Sequence, residues 1–370
     1  MNLKQNPFSL YDFLGYLIPG ALFLYAAALA IVWMEVGNET SLLKHLLAAM
    51  DRLDSQLALL HWQSYVPLAI LAYTIGHFLS FLSSISIEKF MVWTCGYPSK
   101  FLLTTHEGHY LDIKAGPQDS AVAKFIRRFN RAIVFVFLTP ISAVDQSLGI
   151  LFGTHKQYSK TLDSFLQRSI RRRMDSFLRE NYVRDYTRHE DGEEYPLPKE
   201  SDFFRGISHF ALENAPGHVQ PMQNYVALYG FLRTVSFVFV LLFWTLPLVC
   251  LGREFSLPVA LLELVVAILL LSFLLLISTH EEESLTDKQR VRVWPDRSSL
   301  YWSIVLIALS VVLSIVQMSW LMAVSAALSY LSYVGFQKFY RRYTLEAFMA
   351  LMTKYKGGTR PSHKNAKPRQ

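Results

Sequence analysis

Between Arg297 and Lys338 the chain reads SSLYWSIVLIALSVVLSIVQMSWLMAVSAALSYLSYVGFQ (Ser298–Gln337), 40 residues without an Asp, Glu, Lys or Arg. As one helix this would be about 60 Å long, at roughly 1.5 Å per residue. A bilayer's hydrocarbon core is only about 30 Å thick. A globular core of this size would not hold such a helix, and a single crossing is too short for it. Two crossings folded back on each other satisfy both limits. The fold point falls at Gln317-Met318-Ser319-Trp320, where two polar residues meet a Trp suited to the headgroup region.

Composition agrees. Of 370 residues, 52% are hydrophobic and only 18% charged, against about a quarter in soluble domains. The net charge of +7 reads, in such a chain, as basic loops held against anionic lipid rather than as a nucleic-acid signature. The two cysteines, Cys95 and Cys250, fall on opposite sides of the topology derived below. They supply neither a disulfide framework nor a metal site.

Working outward from the uncharged run, apolar segments are expected at about 13–34, 64–87, 225–249 and 257–278, with the run itself divided into 299–317 and 320–337. Ala26-Ala27-Ala28-Leu29-Ala30 could pass for a signal-peptidase site. The leading region carries only Lys4, however, and Asp12 directly precedes the apolar stretch, so an uncleaved span is the better reading. Pro19-Gly20 inside it allows a kink. The sequence from Tyr11 to Gly20, Tyr-Asp-Phe-Leu-Gly-Tyr-Leu-Ile-Pro-Gly, together with Gly96-Tyr97-Pro98-Ser99, resembles parts of uncharacterised bacterial multi-pass membrane proteins. Some proteins of that type sit among anti-phage defence genes. The resemblance implies a bacterial inner-membrane location and a role in defence, and it carries over no functional residue.

Six spans place both termini on one side. With that side cytoplasmic, inside Lys and Arg number 1 before the first span, 18 in residues 88–222, 4 in 280–299 and 9 after Gln337. Only Lys44, Arg52 and Arg253 remain outside, while Arg233 lies within a span. Leaving out the long loop, where the positive-inside rule weakens, the balance is still 14 to 3. The expected fold is therefore all-α and polytopic. A membrane hairpin (1–87) comes first, then a helical cytoplasmic domain (88–222) inserted between the second and third spans. A four-span bundle (223–337) and a basic tail (338–370) follow. Within the inserted domain, Ile133 to Phe152 is apolar but broken by Pro140 and Asp145. It reads as a buried or interfacial helix, or as a re-entrant segment.

Ionisable groups inside a bilayer are costly and mark candidate sites. Three qualify: His77, Arg233 and Glu263. His77 belongs to a polar stripe, Tyr73, His77, Ser80, Ser84 and Glu88, at three- and four-residue spacing on one helix face. These groups could line a path for ions or a small solute, or could simply hydrogen-bond between helices. Arg233 and Glu263 differ in depth by roughly 10 Å, which does not favour a salt bridge between them. Ser325, Ser329 and Ser332 share one face of the last span and form a small-residue seam for helix packing or for a homo-oligomer.

In the inserted domain, Leu162, Phe165, Leu166, Ile170, Met174, Phe177 and Leu178 follow helical periodicity. Arg168, Arg171, Arg172 and Arg173 are expected on the opposite face, as contacts for anionic lipid or for a phosphate-bearing ligand such as a nucleotide trigger. No aromatic platform beside them suits single-stranded nucleic acid. His106-Glu107-Gly108-His109 lacks the spacing of a zinc-protease motif, and His189 and His280 read as loop residues beside acidic runs. The chain contains no phosphate-cradling Gly-rich loop, nucleophile elbow or dinucleotide fingerprint. A non-enzymatic membrane protein without a cofactor is expected. It would have the bilayer and an unidentified cytoplasmic protein or nucleotide as partners, and a channel or transporter is the alternative.

Overall fold

The computed structural model describes residues 12–35, 42–58, 62–103, 120–152, 158, 160–181, 203–254, several positions between 261 and 272, and 319–355. Glu263, the expected span 299–317, the first half of its fold point, the motifs at His106–His109, His189 and His280–Glu283, and the tail beyond 355 lie outside them.

The described residues are helical, with no strand among them. In chain order the helices are α1 (Ile18–Glu35, entered through a π-helical turn, Phe13–Leu17), α2 (Leu42–Ala58) and α3 (Trp62–Ser83, continued by a second π-helical turn, Ser84–Glu88). Next come α4 (Lys89–Cys95), α5 (Pro98–Phe101), α6 (Ala121–Phe137), α7 (Thr139–Phe152), α8 (Ser164–Asn181) and α9 (Phe203–Asn214). Two long helices complete the series, α10 (Pro216–Glu254) and α11 (Ser319–Lys354). Among the described residues, three helices are long and apolar enough to cross a membrane: Phe13–Trp33, Gln63–Phe101 and Pro216–Leu248. α11 is not one of these. Ser325, Ser329, Ser332 and Gln337 dilute its uncharged half.

The chain divides into two compact units, and the division cuts across the sequence's own. The first unit comprises Met1–Cys95, Glu107–Gln157 and Ala227–Lys338; the second comprises Gly96–His106, Tyr158–Val226 and Phe339–Gln370. The described residues of the segment Glu107–Gln157, 120–152, expected in the inserted hydrophilic domain, thus group with the apolar helices. Their segment Ile133–Phe152 is not one helix but the end of α6 and all of α7, broken at Leu138.

The break has a plain cause. Pro140 has no N–H, so the Val136 carbonyl one turn back loses its helical donor. The Thr139 hydroxyl donates to that carbonyl instead. Ile141 N–H turns to Leu138 O at 2.9 Å, which frees the Phe137 carbonyl. The indole Nε1 of Trp244, on α10, donates to that carbonyl at 2.8 Å. Each freed acceptor therefore finds a new donor, as buried backbone requires.

The first unit's core joins Val32 and Trp33 of α1 with Ala49 and Leu53 of α2, Phe243 of α10, and Met322 and Ala326 of α11. The expected small-residue seam is occupied within the chain, by α10. Ser325 Oγ donates to Phe239 O at 2.8 Å, Ser236 Oγ donates to Ser329 O at 2.8 Å, and a Cβ on Gly335 would stand 2.9 Å from Leu232 Cδ1.

The second unit is built on aromatic packing. Phe177 of α8 meets Phe210 of α9 and Tyr355 edge-on, with ring centroids 5.1 and 5.4 Å apart. Leu102, Leu103, Ile170, Ile207 and Phe348 are fully buried around them. His218 Nδ1 lies 2.7 Å from Glu346 Oε1, tying α10's first turn to α11.

Candidate functional site

Three groups of polar side chains lie inside the first unit. The most confined surrounds Arg233. The side chain leaves α10 among buried neighbours, Thr234, Val235, Ser236, Phe237 and Val238, where nothing on its own helix can neutralise it. The partners come from α3 and the π-helical turn after it. Arg233 Nε donates to Ser83 Oγ at 3.1 Å, NH1 donates to the Glu88 carboxylate, and NH2 stands 3.5 Å from both the carbonyl and the hydroxyl of Ser80.

The π turn makes this possible. Its i→i+5 pattern takes one more residue per turn than the α-helix. Ser83 and Glu88 are five apart, so the turn Ser84–Glu88 returns Glu88 to the face that carries Ser83. With α-helical continuation, Glu88 would have followed Ser84 instead.

His77 belongs to a second group. Its ring stacks on Tyr16 at 3.6 Å between centroids and meets the Tyr73 ring edge-on at 4.6 Å. Tyr16 sits in the first π-helical turn, where Ile18 N–H reaches back to Phe13 O. Pro19 follows directly, so the kink expected there takes this form. The two helices touch backbone to backbone. A Cβ on Gly76 would overlap the Tyr16 carbonyl, and one on Gly20 would overlap the Ala72 carbonyl. Glycine is required at both positions by this close approach, as in membrane helix pairs generally.

The third group is formed by Asp145 of α7 and the tyrosines of α11. Tyr330 Oη lies 3.3 Å from Asp145 Oδ1, and Tyr333 is buried between the Phe90 and Phe336 rings, at 5.9 and 6.2 Å between centroids.

The stripe read from the sequence is thus shared between two neighbours. Tyr73 and His77 serve α1, while Ser80 and Glu88, with Ser83, serve α10. His77 and Arg233 are not brought into one site. Glu88 supplies the anion for Arg233 that the sequence sought, without success, in Glu263. The signal was available: Glu88 is the sole acidic residue between Asp54 and Glu107, and a buried cation in a neighbouring span needs one. Ser83 was missed because α-helical spacing leaves it off the stripe.

In the second unit the four arginines do not form one patch. Arg168 and Arg172 are exposed, with Arg168 Nε 3.3 Å from Ser164 O. Arg173 stands 5.9 Å over the Tyr355 ring. Arg171 points inward, 8% exposed, and donates to the Leu103 carbonyl. Burial, with Glu180 adjacent, pushes the Tyr355 hydroxyl well above the usual tyrosine range, and burial raises that of Tyr343. Among the described residues, no group of three or more His, Cys, Asp or Glu could hold a metal ion. No family model matches the chain, and neither a curated protein nor a solved structure matches it.

Proposed function

We propose that the chain is a non-enzymatic multi-pass protein of the bacterial inner membrane that acts on the bilayer itself, as an effector or component of a defence system. In this reading the three long apolar helices are joined by the spans at 257–278, 299–317 and 320–337, with both termini in the cytoplasm. The 14 to 3 balance of basic residues in the shorter connections supports that orientation. A stimulus reaches the protein from the cytoplasm, and the response is ion leakage through the membrane helices.

The observation that carries the reading is the Arg233–Glu88 pair. A guanidinium among apolar helices costs several kcal/mol unless paired. Replacing a buried ion pair by packed apolar residues is often neutral, or stabilising by about 1–4 kcal/mol. A bundle that only had to pack would gain little from this pair. A bundle that must open gains a latch: closed, its charges are paired and largely shielded; opened, both draw in water.

The test is membrane potential in cells carrying the wild type or Glu88→Gln. The wild type should depolarise on phage challenge, and the variant, with the latch weakened, should do so without it. If neither protein alters growth or potential under challenge, the effector reading is wrong.

A second reading, a channel or transporter, draws on the polar side chains of α3 from Tyr73 to Glu88, which extend over about 22 Å at 1.5 Å per residue. It expects steady flux of a small solute or ion, lost on His77→Ala with expression unchanged.

A further inference from the structure

We infer that the N-terminal half of α6 lies in the bilayer interface as an anionic-lipid contact of the first unit; this rests on the membrane reading above. Among the described helices α6 is the most sharply two-sided. At 100° per residue, Val122, Phe125, Ile126, Phe129, Ile133 and Val136 fall on one arc. Arg127, Arg128 and Arg131 fall on the opposite one.

The two ends of the apolar arc meet different surroundings. Towards the C-terminus, Ala132 and Val136 are buried in a cluster with Ile268 and Leu271. Towards the N-terminus, Val122, Phe125 and Ile126 are 66%, 52% and 59% exposed. Ser120 caps this end, its Oγ accepting from Ala123 N–H at 3.2 Å, so the exposed turns are a formed helix start. Phe125 and Phe129 stack in parallel at 6.2 Å, giving the arc a flat aromatic edge.

Charge selects the occupant. An apolar arc backed by arginines, with long stems that reach around the helix to the headgroup level, is the pattern of helices lying in the membrane plane. Arg131 is set above the Trp93 ring at 5.0 Å, and Trp is a side chain suited to that same level. The arc also continues from packing shared with helical residues of the expected fourth span, so it starts from the apolar part of the unit. A headgroup of negative charge, as in phosphatidylglycerol, matches the basic arc, and neutral phosphatidylcholine does not.

The experiment uses the full chain with Cys95→Ala and Cys250→Ala, in nanodiscs containing either phosphatidylglycerol or phosphatidylcholine alone. A fluorophore is placed in turn at Val122→Cys, Ile126→Cys, Arg127→Cys and, as a membrane reference, Phe81→Cys. Lipid-borne and aqueous quenchers then report depth. Labels at 122 and 126 should be quenched from the lipid at about 5–10 Å below the headgroups in phosphatidylglycerol. They should become shallower in phosphatidylcholine, while the label at 127 responds to the aqueous quencher.

If 122 and 126 respond to the aqueous quencher while 81 remains lipid-quenched, the inference is overturned and the membrane reading stands. Protection from both quenchers overturns it too, in favour of a cover by protein, such as a second copy. Equal depth in both lipids overturns the headgroup selectivity. Loss of lipid quenching at 81 itself overturns the membrane reading.

Discussion

Among the described residues two arginines are buried, one in each unit, and they are held in different ways. Arg233, 9% exposed in the first unit, faces a carboxylate and two serines from a neighbouring helix. Arg171, 8% exposed in the second, donates to the backbone carbonyl of Leu103 and has Asp175, also buried, one turn along its own helix. The first arginine depends on how another helix is rotated. The second depends on its own helix and on the Leu102–Leu103 turn, held nearby by Leu162 N–H donating to Leu102 O at 3.0 Å. An arginine among apolar helices has little backbone to turn to, since helical carbonyls are already engaged. Loop backbone offers free acceptors.

Breaking the first arrangement should have the largest effect. Glu88→Ala leaves the guanidinium uncompensated and should cost about 3–5 kcal/mol, read as thermal stability in detergent. Glu88→Met combined with Arg233→Met should recover most of that stability while leaving the proposed response lost. No recovery would mean that the two charges are not one unit. Next is the glycine contact: Gly76→Val must push the Tyr16 carbonyl away and should cost about 3 kcal/mol. Cysteines placed on α1 and α3 should then cross-link less readily, and unchanged cross-linking would argue against the backbone approach.

Arg171→Met should cost about 2 kcal/mol, because one hydrogen bond to a charged donor is lost and the Leu103 carbonyl is left facing apolar packing. A loss equal to that of Glu88→Ala would erase the contrast between the units. The smallest effect is with pH. Tyr355 and Tyr343 hold their protons more tightly folded than unfolded, chiefly through burial. Their contribution is complete below about pH 10, the unfolded tyrosine value, and is lost as pH rises through the folded values. Hydrogen-exchange protection in the second unit, relative to the base-catalysed rate of an unfolded amide, should fall at alkaline pH in the wild type, and less in Tyr355→Phe.

How far the sequence could be read varies by feature. Helical content and the first three long apolar segments were legible, because hydropathy and charge are properties of a local window. The candidate residues Arg233 and His77 were legible for the same reason, as charges or imidazoles set in apolar runs. Their partners were not. The α-helical count put Ser84 beside Ser80 and left out Ser83, since a π turn leaves no mark in spacing. The Arg168–Arg173 run looked like one basic face, but α8 packs on a side that takes Arg171 inward. Pro140 announced a break, yet the donors that mend it, Thr139 and Trp244, required the neighbouring helix to be in place.

By itself, then, the sequence determined that the chain forms helices and where ionisable groups interrupt its long apolar stretches; of the six spans it led to expect, three fall on helices long and apolar enough for a bilayer among the described residues. Tertiary structure alone decided that Arg233 meets Glu88, that His77 stacks on Tyr16, and that residues 120–152 group with the apolar helices. The reason is geometric. Burial and helix formation sum over neighbours in sequence, whereas an ion pair or a ring stack depends on the rotation and register of two helices, to within about an ångström.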